Sequence, residues 1–411
     1  MRNITLITIL TLLVCLMPLS AAIRVGADVE TGGVSYSNPD YKSSSTLSNN
    51  YMYEKSRIYL EGDLKENVTV GLKLLSRGVF GKEPGKEYTT VKSSVTFINY
   101  TPQIENAFIE FSEIKGFPVD LTLGRQSIKI GQGIIVDDDG LGFDAVRLNA
   151  YLPLDINLDA FLIKRYELDM DSYTDKTDSQ MYTLGANWTY DKDYNFRAYY
   201  FVEEPSSPRK KNFISLRADG TFKQGVDYRA EVIKPGGDYS GMSYVGGLTA
   251  YSKIKRLGKT IVNFEYAVGK GADSGLGFAP TYGHKTDGFE KSGYGEYFGA
   301  SLTDFFGGIN TTNPTWQGVH TTTLGLGLEP YKDLNINFDY FILFSLDYPQ
   351  LSDTGSYLGE EMDITLKYKY NQNCTLKLVY GRFSPLDRLK SPGETIKITA
   401  NKLGWAVQAK F

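Results

Sequence analysis

Cysteine and histidine are scarce: the 411 residues contain two of each. Cys15 lies in the N-terminal apolar stretch, so Cys374 stands alone in the remainder and no internal disulfide can staple the fold. His284 and His320 are too few for a multi-histidine metal centre. No phosphate-cradling glycine loop, catalytic cysteine or cofactor motif is present, so no cofactor and no enzymatic activity are expected. Positive charge is not in excess either. The 44 Lys and Arg against 48 Asp and Glu leave a formal net charge of -4. Nothing is therefore available to displace counterions from phosphates, and no nucleic-acid partner is expected. Beyond the first 22 residues no apolar run reaches the length of a membrane helix. A mean hydropathy of -0.28 likewise excludes a polytopic helical membrane protein.

Strand and turn formers are plentiful instead: 42 Gly, 30 Tyr and 22 Phe, together with Thr, Asn and Asp. Residues 1–22 read as a secretory signal peptide. Arg2 supplies the basic start, Ile4 to Pro18 the apolar run, and Ser20-Ala21-Ala22 a small-residue cleavage site. The alternative, a single membrane anchor, lacks both the length and a basic stop-transfer flank. Residues 23–411 are then expected to form one domain.

Apolar residues recur at every second position throughout that domain. At the C-terminus Leu403, Trp405, Val407, Ala409 and Phe411 alternate with Lys402, Gly404, Ala406, Gln408 and Lys410. A period of two sends these sets to opposite faces of a strand. The same register runs through Leu334–Phe344, Tyr182–Tyr190, Tyr194–Val202 and Val146–Leu152. Short polar turns at residues 65–67, 115–118, 153–155, 191–193, 223–225, 256–258, 330–333 and 371–373 alternate with longer segments rich in Gly, Ser, Asp and Lys. Short turns at one end and long loops at the other are the asymmetry of an outer-membrane barrel. The fold class expected is all-β: a transmembrane antiparallel barrel of roughly 18 strands, with short periplasmic turns and long external loops. Gly271 to Gln317 reads as one long loop, although Tyr294 to Leu302 has the pattern of a further strand. A soluble sandwich also alternates; the signal peptide, the turn asymmetry and the terminal Phe411 favour the barrel. Phe411 resembles the closing aromatic through which the barrel-assembly machinery engages such chains, and membrane lipid is the expected surrounding.

If the aromatic and aliphatic faces meet lipid, the other faces line a lumen. Arginines fall inward at Arg57, Arg147, Arg165, Arg197, Arg217 and Arg229, and a late acidic group comprises Asp339, Glu361 and Asp363. Inward cations and acids nearly cancel. Arginines facing acids across a lumen set up a transverse field and suit planar contact with carboxylates. The competing reading pairs each arginine with a neighbouring acid inside a filled barrel.

One stretch is more specific. Glu105-Asn106-Ala107-Phe108-Ile109-Glu110-Phe111 is followed by Leu123-Gly124-Arg125-Gln126 and then by Phe143-Asp144-Ala145-Val146-Arg147-Leu148. This resembles the alginate-export family of outer-membrane porins, whose members share an LGRQ strand followed by a DA(V)RL strand. The loop with Phe278 to His284 and Gly293-Tyr294-Gly295 is similar to that family's aromatic, glycine- and histidine-bearing loop. The resemblance implies an 18-stranded channel in the outer membrane and places Arg125 and Arg147 on the pore lining. Arg147 agrees with the alternation. Arg125 shares the parity of Val119, Leu121 and Leu123, so either a bulge at Gly124 turns it inward or it sits at the rim.

The balanced lumen departs from the cationic pore that an alginate conduit implies. The expected function is passive diffusion of small polar or anionic solutes, including carbohydrates. Export of an anionic polysaccharide such as alginate, and a structural or adhesive barrel with a filled interior, are the alternatives. His284 beside Asp287 and the interfacial His320 are expected to be non-catalytic. Asp137-Asp138-Asp139-Gly140 lacks the alternation of a calcium loop and reads as a solvated external turn.

Overall fold

The computed structural model describes residues 22–38, 48–65, 67–89, 96–138, 141–166, 179–191, 193–204, 211–239, 241–269, 294–297, 317–347, 357–385 and 399–411. The expected leader lies outside these except for Ala22, on which the first strand begins. The strands are β1 (Ala22–Ser37), β2 (Ser48–Lys65), β3 (Val68–Val79), β4 (Glu87–Thr89), β5 (Thr96–Ile98), β6 (Gln103–Phe111) and β7 (Val119–Gln126). They continue as β8 (Phe143–Leu152), β9 (Ile156–Tyr166), β10 (Ser179–Asp191), β11 (Tyr194–Glu204), β12 (Lys211–Thr221), β13 (Val226–Gly237) and β14 (Ser243–Ile254). The last are β15 (Gly258–Gly269), β16 (Gln317–Tyr331), β17 (Leu334–Asp347), β18 (Tyr357–Lys369), β19 (Cys374–Pro385) and β20 (Ala400–Lys410).

Strands β4 and β5 pair as a small hairpin beyond β3. The other 18 form one antiparallel sheet in which each pairs with its neighbours in the chain. β1 pairs with β2 on one side and β20 on the other, so the sheet closes on itself. Closure leaves no edge, which is what a sheet in hydrocarbon requires. The eight short polar turns of the sequence all fall at one end, together with both chain ends: Phe411 and Ala27 exchange backbone hydrogen bonds there. Among the described residues no helix is long and apolar enough to cross a membrane.

Register confirms which face is which. Directly paired residues share a face, and Leu148 lies opposite Leu121, Leu184 opposite Tyr200, and Leu216 opposite Val232. These side chains are exposed, Leu216 at 56% and Leu184 at 62%. Their strand neighbours Arg147, Thr183 and Ser215 point the other way, and the last two are buried. An apolar surface exposed all around the outside, with polar groups inside, is inverted relative to a water-soluble protein and suits a lipid surround. Aromatic rings gather at both ends of the outer face. Trp188, Tyr190 and Phe196 meet near the short turns with centroids 5.4 and 5.8 Å apart, and Phe222 stacks on Tyr228 at 4.6 Å. At the opposite end Tyr244, Tyr266, His320 and Phe344 form a chain with spacings of 5.9, 4.7 and 4.9 Å. His320 is thus a member of the outer aromatic belt, as its parity with Leu324 and Leu326 implies.

β15 ends at Gly269 and β16 begins at Gln317. Residues Tyr294–Tyr297 of the connection between them are described, and they lie inside the barrel in a bridge and turn rather than in a nineteenth wall strand. His284 and the rest of the connection lie outside the described residues. Replacing Leu216 by Arg should cost about 2–4 kcal/mol, the range for a cation near the middle of a lipid-facing wall, while Leu216→Phe should be close to neutral. Denaturant titration of the protein folded into vesicles measures both; equal stability of the two variants would mean that this face does not meet hydrocarbon.

Candidate functional site: lumen charges and infolded segments

Four lumen arginines lie on one side of the barrel, on β8, β11, β12 and β13, and each has a carboxylate. Arg147 makes a bidentate pair with Asp159 on the next strand, Nε to Oδ1 at 3.0 Å and Nη2 to Oδ2 at 2.9 Å. Arg217 donates to Asp219 at 2.8 Å and reaches Glu231 at 3.4 Å, while Arg197 stands 3.7 Å from Asp219. Arg229 reaches over β14 to Glu265 on β15, with Nε to Oε2 at 2.9 Å. The intervening β14 residue, in register with both, is Gly247, and a Cβ there would fall 2.9 Å from the guanidinium carbon. A side chain at 247 would therefore break the bridge. The result is a band of arginine–carboxylate pairs on β8 and β9 and from β11 to β15, with the uncharged Gly185 and Asn187 of β10 between the two groups.

Two loop segments descend onto this band. The β7–β8 connection carries Ile128, Ile130, Ile134, Ile135 and Val136, which pack on the lumen faces of Phe161, Ile163, Met181, Phe201, Phe213 and Ile233. Its tip is held by a wall carboxylate: Gln132 N–H donates to Glu231 at 3.0 Å, and Ser215 donates to the other oxygen at 2.9 Å. Gly131 adopts a φ of +60°, and a Cβ there would meet the Glu231 carboxylate at 2.5 Å, so the tip admits only glycine.

The second segment, Tyr294–Tyr297, bridges one side of the lumen, from β15 to β18, β19 and β20. Tyr294 packs against the apolar groups of both walls. Burial, and then the Glu265 carboxylate to which it is hydrogen-bonded, hold its phenol well above the ordinary tyrosine range, so it remains a donor. On the far side Tyr297 is stacked on Phe383 at 6.0 Å and lies edge-on to Tyr36 at 6.2 Å. Asp363 accepts the Glu296 N–H at 2.7 Å, Glu361 accepts the Tyr297 N–H, and the Glu296 carboxylate pairs with Lys402 at 2.7 Å.

The predicted acidic group is thereby brought together on β17 and β18, where Asp339 and Asp363 are directly opposite one another. β17 is nine strands from β8 in the 18-strand order, so Asp339 and Arg147 lie on opposing walls. Two of the three acids are spent on the bridging segment, a role that strand parity alone cannot reveal. Arg57 lies inward on β2 and pairs with Glu105 at 3.0 Å and Asp28 at 3.6 Å; Lys73 shares Glu105 at 3.1 Å. Arg165 belongs to β9, but its side chain lies outside the described residues.

Two expectations need correction. Arg125 is not on the lumen face. It is in register with Ala107 and Asp144, on the face of Leu121 and Leu123, and pairs with Asp144 at 2.9 Å. Strand alternation continues through Gly124, so the guanidinium sits at the outer rim. Asp137 and Asp138 are not a solvated turn but are 3% and 4% exposed within the infolded loop. Asp137 pairs with Lys129 at 2.7 Å, and Asp138 accepts from Ser127 and from the Gly142 N–H. Asp139 and Gly140 lie outside the described residues. A signal for infolding was present: five branched aliphatics between positions 128 and 136 have no reason to sit in an external loop.

A family model for alginate export matches residues 22–278. No curated protein matches the chain. Among solved structures, OccAB4 of Acinetobacter baumannii aligns with a TM-score of 0.61 at 11% identity, covering 95% of this chain and 98% of its own. OccK8 (OprE) of Pseudomonas aeruginosa gives 0.60 at 12% identity, with the same coverage. OccAB3 of Acinetobacter baumannii gives 0.58 at 14% identity, covering 94% and 99%. At such identities the likeness is one of fold.

Replacing Glu361 by Gln together with Asp363 by Asn keeps shape but weakens two hydrogen bonds, each worth about 0.5–1.5 kcal/mol or more. The amides of Glu296 and Tyr297 should then exchange hydrogen at least about tenfold faster by mass spectrometry. Unchanged exchange would mean that aromatic packing alone holds the bridging segment.

Proposed function

The chain belongs to the alginate export family, and from that membership and the barrel we propose that it is a passive channel of the outer membrane for small polar or anionic solutes. The observation that carries this reading is the partial exposure of the lumen guanidiniums. Arg147, Arg197 and Arg229 keep about a third of their side-chain surface accessible, at 32%, 34% and 33%, although Asp159, the partner of Arg147, is 2% exposed. A barrel filled by its own charge pairs would bury both members. Here the carboxylates form the wall and the guanidinium edges face an aqueous path. A passing carboxylate or sugar hydroxyl can exchange hydrogen bonds with such an edge without displacing the wall acid.

Charge balance shapes the selectivity. Each guanidinium of the arginine wall is offset by an acid, so the path is not strongly cationic, and a polyuronate would find no run of free positive charge. Across the lumen, Asp339 and the acids that hold the Glu296 and Tyr297 amides share the opposite wall with Lys402. The path is left with only a mild preference for anions, along the arginine side. We therefore favour diffusion of small solutes over dedicated polymer export for this member of the family. Such a role is one of conduction and calls for no catalytic residue.

Purified protein in a planar bilayer should give stepwise conductance. The double variant Arg147→Ala, Arg197→Ala should lower the anion-to-cation permeability ratio about twofold, read as a shift in reversal potential across a salt gradient. No steps in the wild type would overturn the channel reading. An unchanged potential in the variant would remove the arginines from selectivity while leaving conduction intact.

A further inference from the structure

We propose that the lipid-facing seam of β19, β20, β1 and β2 binds a phosphorylated glycolipid at the level of the outer headgroups. The proposal requires the barrel and its membrane orientation but not the nature of the solute. A groove of about 480 Å³ opens on the outer face here. Its floor is Gly33, its flanks are Trp405 and Leu403 on one side and Met52 and Phe80 on the other, and Ser35, Asn50 and Lys82 rim it toward the long-loop end. Trp405, Leu403 and Met52 have outward parity in the register of β20, β1 and β2, and Phe80 follows Val79, which pairs with the inward Tyr53 at the end of β3. The groove depends on Gly33: a Cβ there would fall 2.6 Å from the Trp405 indole nitrogen, so only glycine lets the ring lie across the wall.

One row further out the surface turns polar. Tyr380 donates to Asn401 at 3.0 Å, and Asn401 donates to Ser37 at 3.3 Å. Arg382 is in register with Asn401 on one side and the outward-facing Met362 on the other. It is exposed, and no ion pair to it is found among the described residues. In this it differs from Arg125 on the same rim, which Asp144 neutralises at 2.9 Å, and from the paired lumen arginines. The neighbouring outward carboxylate, Glu360, in register with Ser384, accepts from the Tyr357 hydroxyl. A guanidinium at the edge of hydrocarbon with no ion-paired anion among the described residues matches a phosphate through its planar fork. The apolar groove below it accepts an acyl chain, and the amides and hydroxyls of Asn50, Asn401, Ser35 and Ser37 suit a sugar. A phosphate, a sugar and a tail in that order from the rim inward describe a phosphorylated glycolipid.

The test uses the full chain in mild detergent, with hexa-acylated diphosphoryl lipid A as the probe and native mass spectrometry as the readout. One retained glycolipid per barrel is expected. Arg382→Gln should lower retention about tenfold, as loss of a charge-assisted bidentate contact does. Ser35→Trp, which fills the groove, should lower it comparably, and dephosphorylated lipid should bind wild type no better than the phosphorylated lipid binds Arg382→Gln. Heat-modifiable migration on gels checks that each variant is a closed barrel. Equal retention by wild type and both variants would overturn the proposal. So would equal retention of phosphatidylglycerol, which would mark a general anionic-lipid annulus, or a dimer mass with no lipid, which would mark a contact between two copies.

Discussion

Hydrocarbon offers no partner for a backbone N–H or C=O, and that constraint organises this molecule. A sheet that meets it must close, which makes the β1–β20 pairing as necessary as any hairpin. Closure assigns every alternate side chain to lipid or to the lumen. The outer surface is then committed to aliphatic and aromatic groups, and polar chemistry has to be carried inside. The arginine band, the acidic wall and the infolded loops are consequences of that division rather than additions to it.

Within the lumen, charge does structural and functional work with the same groups. Glu231 accepts from Arg217, Ser215 and the Gln132 backbone, so one carboxylate joins two wall strands to a loop tip. Glu265 does the same for Arg229 and Tyr294. Such carboxylates are buried with their acceptors occupied, which offsets the cost of removing them from water. Of the guanidiniums that neutralise them, Arg229 keeps a third of its side-chain surface accessible, whereas Arg217 keeps 13%.

Strand number, turn positions and facing were legible in the sequence because period two, sustained over Tyr182–Tyr190 or Leu334–Phe344, has one geometric meaning when polar turns bound it. Parity alone also identified the strain in reading Arg125 as pore-lining, and the rim position follows from it. The infolded loops were less legible. Polarity of Asp137 and Asp138 looks the same in water and in a lumen that supplies Lys129, Ser127 and a backbone N–H. The aliphatics at 128–136 carried the distinguishing signal, but loop composition obeys no period that points to a contact surface. Likewise, parity placed Glu361 and Asp363 inside, yet their partner is the backbone of a segment some sixty-five residues away in the chain, and backbone N–H groups leave no mark on sequence.

The segment Tyr294–Tyr297 has a mechanical consequence. A hoop of hydrogen-bonded strands resists stretching around its circumference but flattens easily, because each strand pair bends at little cost. This segment is fixed to β15 at one end and to β18, β19 and β20 at the other, three to five places apart in the 18-strand ring, so it acts as a strut along one side of the barrel. Lateral pressure in the bilayer that would change the curvature of that arc must first compress or stretch the strut. The chain thus stiffens this part of its wall by bracing it from within.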